Sequence, residues 1–137
     1  MEVEIFTLAD YATDPGNGKL FISGTFDTLL AQTFPVIHPF ATIVARIRVG
    51  NSEAGNHSIE IRSLDTNKKS LHESLKGNFE VQSNPNSDHT SLNILWNLTN
   101  SKLDREGVYG FEFYFDGDFK TGLKLTAKLA SNPNTKS

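Results

Sequence analysis

Four histidines, His38, His57, His72 and His89, are the side chains of this sequence best suited to proton transfer or metal binding near neutral pH. They fall in four separate segments. None has a second histidine two or four positions away, the spacing by which a strand or a helix brings two ligands to one ion. His57 falls just before a strand and the other three in irregular stretches. All four read as solvated loop histidines, and no metal site is expected. Asp10, Asp14, Asp27, Asp104, Asp116 and Asp118 sit mostly at strand ends, where a short carboxylate accepts local backbone N–H groups and stabilises turns. Asp116-Gly117-Asp118 has the look of a calcium-loop fragment, yet no glutamate follows at the distance an EF-hand needs. There is no cysteine, hence no thiol nucleophile, thiolate metal centre or disulfide. No serine lies in a Gly-x-Ser-x-Gly elbow, and Gly16-Asn17-Gly18 reads as a turn, not a phosphate cradle. No cofactor is expected. Trp96 shares its strand parity with Leu92, Ile94 and Leu98, which assigns it to a core and not to a sugar-stacking platform.

The elements that must position these groups are strands. Residues 107–128 read as two strands and a turn. Tyr109, Phe111, Phe113 and Phe115 alternate with Val108, Gly110, Glu112 and Tyr114, and Leu123, Leu125, Ala127 and Leu129 alternate with Lys124, Thr126 and Lys128. Asp116-Gly117 suits the positive φ angles of a tight hairpin. The same period of two marks 2–8, 19–27, 40–49, 59–62, 75–83 and 90–99. Asp14-Pro15-Gly16-Asn17-Gly18 and Asn84-Pro85-Asn86-Ser87-Asp88 form turns between them. In the first strand the apolar parity passes from Val3 and Ile5 to Phe6 and Leu8, which calls for a bulge or a change of sheet. Gly24 suggests a kink or a close backbone approach. The 40–49 and 59–62 strands, joined by a short polar link, are expected to pair, with Arg46, Arg48, Glu60 and Arg62 on one outer face. Residues 28–39 have no clean period, and Pro35 and Pro39 argue against a long regular element there. The pattern predicts an all-β, immunoglobulin-like antiparallel β-sandwich of about eight strands, one domain over 1–130 with a polar tail at 131–137.

Bulk properties agree. At 137 residues and 15.2 kDa the chain is long enough to bury a core without staples. A formal charge of −3, with signs interspersed, argues against a nucleic-acid or anionic-membrane surface. No apolar run approaches the ~20 residues of a membrane helix, and the opening Met1-Glu2-Val3-Glu4 lacks a signal-peptide pattern.

Two resemblances sharpen this. The run from Leu103 through Glu106-Gly107-Val108-Tyr109-Gly110-Phe111 resembles the tyrosine corner of immunoglobulin-like and fibronectin type III domains. That resemblance implies that the Tyr109 hydroxyl returns to the backbone a few residues upstream, above a buried Leu103. The opening MEVEIFTLADYA, the stretch from Gly18 to Thr28, Phe34-Pro35-Val36-Ile37-His38-Pro39, Arg46-Ile47-Arg48 and the Gly107-Val108-Tyr109 start of the last hairpin are similar to a family of small bacterial proteins of unknown function. The family implies no activity, cofactor or catalytic residue. It implies a bacterial, stand-alone, cytoplasmic protein.

The leading expectation is therefore a non-catalytic binding or protein-interaction module. Its candidate surface is the 28–39 segment with its neighbours: Asp10, Tyr11, Asp27, Leu30, Phe34 and His38. The alternatives are a small hydrolase using Asp27 or Asp10 with His38, and a protein that assembles with itself through a sheet edge.

Overall fold

Alternation becomes strand along almost the whole chain. The computed structural model describes residues 1–131. Its strands are β1 (Glu2–Thr13), β2 (Phe21–Thr25), β3 (Thr28–Ala31), β4 (Val36–Gly50), β5 (Gly55–Leu64), β6 (Leu75–Val81), β7 (His89–Leu103), β8 (Gly107–Phe115) and β9 (Asp118–Leu129). Among the described residues the one helical element is a 3-10 turn, Asn51–Glu53. All of the expected polar tail but Ser131 lies outside the described residues.

The strands form two packed sheets, β2-β1-β4-β7 and β3-β9-β8-β5-β6. Every pairing is antiparallel except that of β3 with β9. The inward side chains of β8 (Tyr109, Phe111, Phe113, Phe115) meet those of β4 (Ala41, Ile43, Ala45, Ile47, Val49) in one core cluster, and Trp96 packs against it. Phe113 and Ile47 are completely enclosed. Full burial of such a side chain contributes roughly 1.5–3 kcal/mol, which is why the period of two dictates the fold. Asp116 and Gly117 have φ of 51° and 84°, as a two-residue hairpin turn requires. The Tyr109 hydroxyl donates to the Arg105 carbonyl oxygen at 2.7 Å and accepts the Arg105 N–H at 3.3 Å, with Leu103 buried. The parity change in β1 is a bulge: its register against β4 shifts between Val3 and Ile5, and the strand stays in its sheet.

The count rises from eight strands to nine because residues 19–39 divide differently from the expectation. Thr28–Ala31 is not loop but strand β3, pairing in parallel with β9 from Thr28 opposite Thr126 to Ala31 opposite Leu129. Pro39 does not end a regular element either; it lies within β4. There β4 is bonded to β7 alone, since its pairing with β1 starts only at Thr42 opposite Ala9. A residue without an N–H is tolerated where one side of the strand has no partner. Opposite Pro39 in this register stands Asn100, at φ 51°. Both strands change their buried parity at that point, from Val36 and His38 to Ala41 on β4, and from Leu98 to Ser101 on β7. That paired kink breaks the apolar period where 28–39 runs into the rest of β4.

The expected pairing of 40–49 with 59–62 does not form. β4 is occupied on both sides, by β1 and β7, and the Asn51–Glu53 turn carries the chain across to the other sheet. Arg46 and Arg48 instead bridge Glu4 of β1 at 3.5 and 3.3 Å. Arg62 pairs with Glu60 at 3.0 Å and lies over the Tyr114 ring. Thr42 and Val44 point outward yet are fully buried. The link between β1 and β2 folds back over that face: Arg46 and Asn93 donate to the Gly18 carbonyl oxygen at 3.1 and 3.2 Å, and Asn93 to Asp14 at 2.8 Å.

Candidate functional site

The six residues of the expected surface come from both sheets and from the links between strands, and they differ in exposure. Leu30 projects from β3 with 64% of its surface exposed, and Tyr11 is 55% exposed on β1 in the other sheet. Phe34 is half-buried and packs on the core. Asp10 is exposed beside Gly24, where an added Cβ would fall 2.5 Å from its carboxylate oxygen. That close approach, together with φ of +71°, is the reason for glycine in β2. The Asp27 carboxylate accepts the Thr28 hydroxyl at 3.0 Å. His38 packs against Phe26 with ring centroids 5.8 Å apart, and its buried Nε2 has no hydrogen-bond partner among the described residues. Neither Asp10 nor Asp27 engages that nitrogen.

His38 lines a small apolar cavity at one end of the sandwich, with Leu8, Phe26, Leu29, Ser101 and Phe111 among its walls. Register places His38 directly across from Ser101. The Ser101 hydroxyl lies 2.8 Å from Nε2 of His72. The backbone of His72 is in turn fixed to β5, its N–H donating to the buried Ser63 hydroxyl at 2.8 Å. Burial holds the His72 imidazole below its ordinary pKa. A serine beside a neutral histidine has the outline of a nucleophile and its base. The space is about 20 Å³, room for a single water, while small-molecule sites run to roughly 300–1,000 Å³. The cavity between His38 and Ser101 is thus far smaller than a small-molecule site.

The opposite end holds a different histidine. His57, at the start of β5, stacks on Phe115 with centroids 4.9 Å apart. Its Nδ1 donates to Asp116 at 2.7 Å and its Nε2 to the Glu53 carbonyl oxygen. Both partners only accept, so both contacts are hydrogen bonds together only in the doubly protonated ring. The Glu53 carbonyl and the Asp116 carboxylate hold His57 above its ordinary pKa, and His57 together with the Ser58 N–H holds Asp116 below the usual carboxylate range. This clasp ties the β8–β9 turn to β5. The expectation of four solvated loop histidines is therefore corrected: His38, His57 and His89 lie in strands, and His38, His57 and His72 are all packed or bonded into the sandwich. Only β-pairing brings His57 to Asp116, fifty-nine residues on. Among the described residues no group of three or more histidine or carboxylate side chains is placed to hold a metal ion.

The outer face of the larger sheet carries a shallow trough of about 690 Å³. Gly110 and Gly122 lie in its floor, and Val108 and Phe119 stand half exposed along it. The sheet edges differ more sharply. β2 and β3 are five and four residues long, and β6 is seven residues with Lys76 and Glu80 on it. β7 runs for fifteen residues with Lys102 its one lysine, arginine or carboxylate residue, and among the described residues no strand pairs with its outer side. Shortness, kinks and charges keep edges from pairing with other chains. Apart from the Asn100 kink and Lys102 near its end, β7 has none of them. Its core-facing Leu92, Ile94 and Trp96 are only partly buried.

Residues 4–128 match a protein family described as "Family of unknown function (DUF6941)". The chain belongs to that family. The match runs from β1 to within one residue of the end of β9, so the DUF6941 unit is the sandwich itself, with both histidine ends and the open edge inside it. No curated protein matches the sequence. Among the described residues of this DUF6941 chain, no helix is long and apolar enough to cross a membrane.

Proposed function

We propose that the chain is a non-catalytic protein-interaction module, an immunoglobulin-like sandwich that offers the β7 edge to a protein partner. The strand order supports the immunoglobulin-like assignment. β1, β4 and β7 take the positions lettered A, B and E, and β9, β8, β5 and β6 those lettered G, F, C and C′. The tyrosine at the start of the F position, bonded back to Arg105, supports it further. In the immunoglobulin order a strand D lies beside E. The observation that carries the proposal is that, among the described residues, no strand pairs with β7 on that side. The partner is protein and not nucleic acid, given the formal charge of −3. The proposed setting is the bacterial cytoplasm, which rests on the resemblance of the opening residues.

The test is capture of partners from the source cell by the tagged chain and by a Leu95→Lys/Thr99→Lys variant, which places two charges on the open edge. Partners held by the wild type and lost at least tenfold on the variant support the edge. Partners held equally by both would move the interaction to another face.

A further inference from the structure

Accepting β7 as the interaction edge, we infer that its occupant is the same edge of a second copy of this chain, the two strands running antiparallel about a two-fold axis at Leu95. The stretch 90–100 is close to a chemical palindrome. Read outward from Leu95, Ile94 is matched by Trp96, Asn93 by Asn97 and Leu92 by Leu98. Beyond these, Ser91 meets Thr99 and Thr90 meets Asn100.

An isologous interface requires such self-complementarity, because each residue meets its own mirror position in the other copy. The match respects the faces of the sheet. The half-buried, core-facing Leu92, Ile94 and Trp96 meet apolar residues, while the polar residues on the outer face meet polar ones. Other registers lose this. A shift by one residue sets inward side chains against outward ones, and a shift by two sets Asn93 against Leu95. No lysine, arginine or carboxylate lies between 90 and 100, so the pairing brings no like charges together. The joined sheet would run to eight strands and give each β7 the neighbour it lacks.

Sedimentation of the full chain from micromolar to near-millimolar concentration reads this directly. The expected result is a monomer of 15.2 kDa that passes to twice that mass as concentration rises. Leu95→Lys alone and Leu95→Glu alone each weaken self-association at least tenfold, and mixing the two restores it, since opposite charges then meet at the axis. Should either variant fold poorly, Leu95→Cys serves instead. In a chain with no other cysteine, oxidation yields a covalent dimer through that residue, whereas Lys124→Cys, on the outer face of the other sheet, does not cross-link. A wild type that stays monomeric throughout, or a dimer that Leu95→Lys leaves intact, overturns the inference. A monomeric wild type whose captured partners are still lost on the edge variant removes only the second copy as occupant. Partners indifferent to that variant remove the edge reading as well.

Discussion

His57 and His72 lie near opposite ends of β5 and are held in opposite protonation tendencies. His57 gives both ring protons to fixed acceptors, one of them the Asp116 carboxylate, and its charge is favoured. His72 faces a serine hydroxyl and Trp96, and burial disfavours its charge. One sandwich thus contains an end sealed by a charged clasp and an end sealed by apolar packing. The lesson is that the second atom within reach, and not the residue type, decides what a histidine does.

The largest test of this contrast strikes the floor of the charged end. Phe115 stacks under His57 and lies 6.3 Å from the Phe79 ring. Phe115→Ala is expected to cost about 3–4 kcal/mol in denaturant unfolding, the usual range for emptying a buried aromatic site. A loss under about 1 kcal/mol would mean that the clasp stands without its aromatic floor.

The next effect is smaller and lies in the pH dependence. The folded pKa of His57 is raised, so its stabilisation is complete below about pH 6.5 and fades as pH climbs through the higher folded value. The folded pKa of His72 is lowered, so the unfolded chain takes up that proton first and stability falls as pH drops below about 6.5. In the wild type the two act in opposite directions. In His57→Gln, stability should decline on acidification between about pH 7.5 and 5.5; in His72→Gln it should rise. Each change is about 1 kcal/mol or less, since Asp116 is 42% exposed and the pair is screened. Measurements stay above about pH 5, because Asp116 and Glu53, both lowered, contribute stability that is lost only as pH falls through their folded values. Parallel slopes in the two variants would erase the contrast between the ends.

Much of this architecture was legible in the chain. Period-two alternation marked the core faces of β4, β7 and β8. Asp116-Gly117 marked the hairpin, Tyr109 the corner, and the parity change in β1 its bulge. Those signals are local, written in residues a few positions apart. Strand partnership is not. The order β2-β1-β4-β7 depends on which edges remain free after folding, so the pairing of Arg46 and Arg48 with Glu4 was out of reach, as was that of His57 with Asp116. Residues 28–39 failed for another reason. The kink at Pro39 needs Asn100 opposite it, and a sequence shows neither the pairing nor the left-handed φ. The near-palindrome about Leu95 lay in plain view, but it acquires meaning only once β7 is known to be an edge.

The smallest effect concerns His38, and its sign is what matters. Its Nε2 is buried with no protein group to bond among the described residues. A buried polar atom left without a partner costs about 1–3 kcal/mol, whereas a leucine of similar size adds apolar contact with Phe26, Leu29 and Leu8 around the cavity. His38→Leu should therefore be neutral or stabilise by up to about 1 kcal/mol in thermal unfolding, the reverse of the usual cost of a core substitution. At the charged end the matching change, His57→Leu, removes two bonded donors and leaves Asp116 without its cation, so it must destabilise. A loss above about 1 kcal/mol in His38→Leu would show that Nε2 is bonded after all, for instance through one water in a cavity that has room for it. The apolar end would then be sealed by polar contacts as well, and only the sign of the charge would separate the two ends.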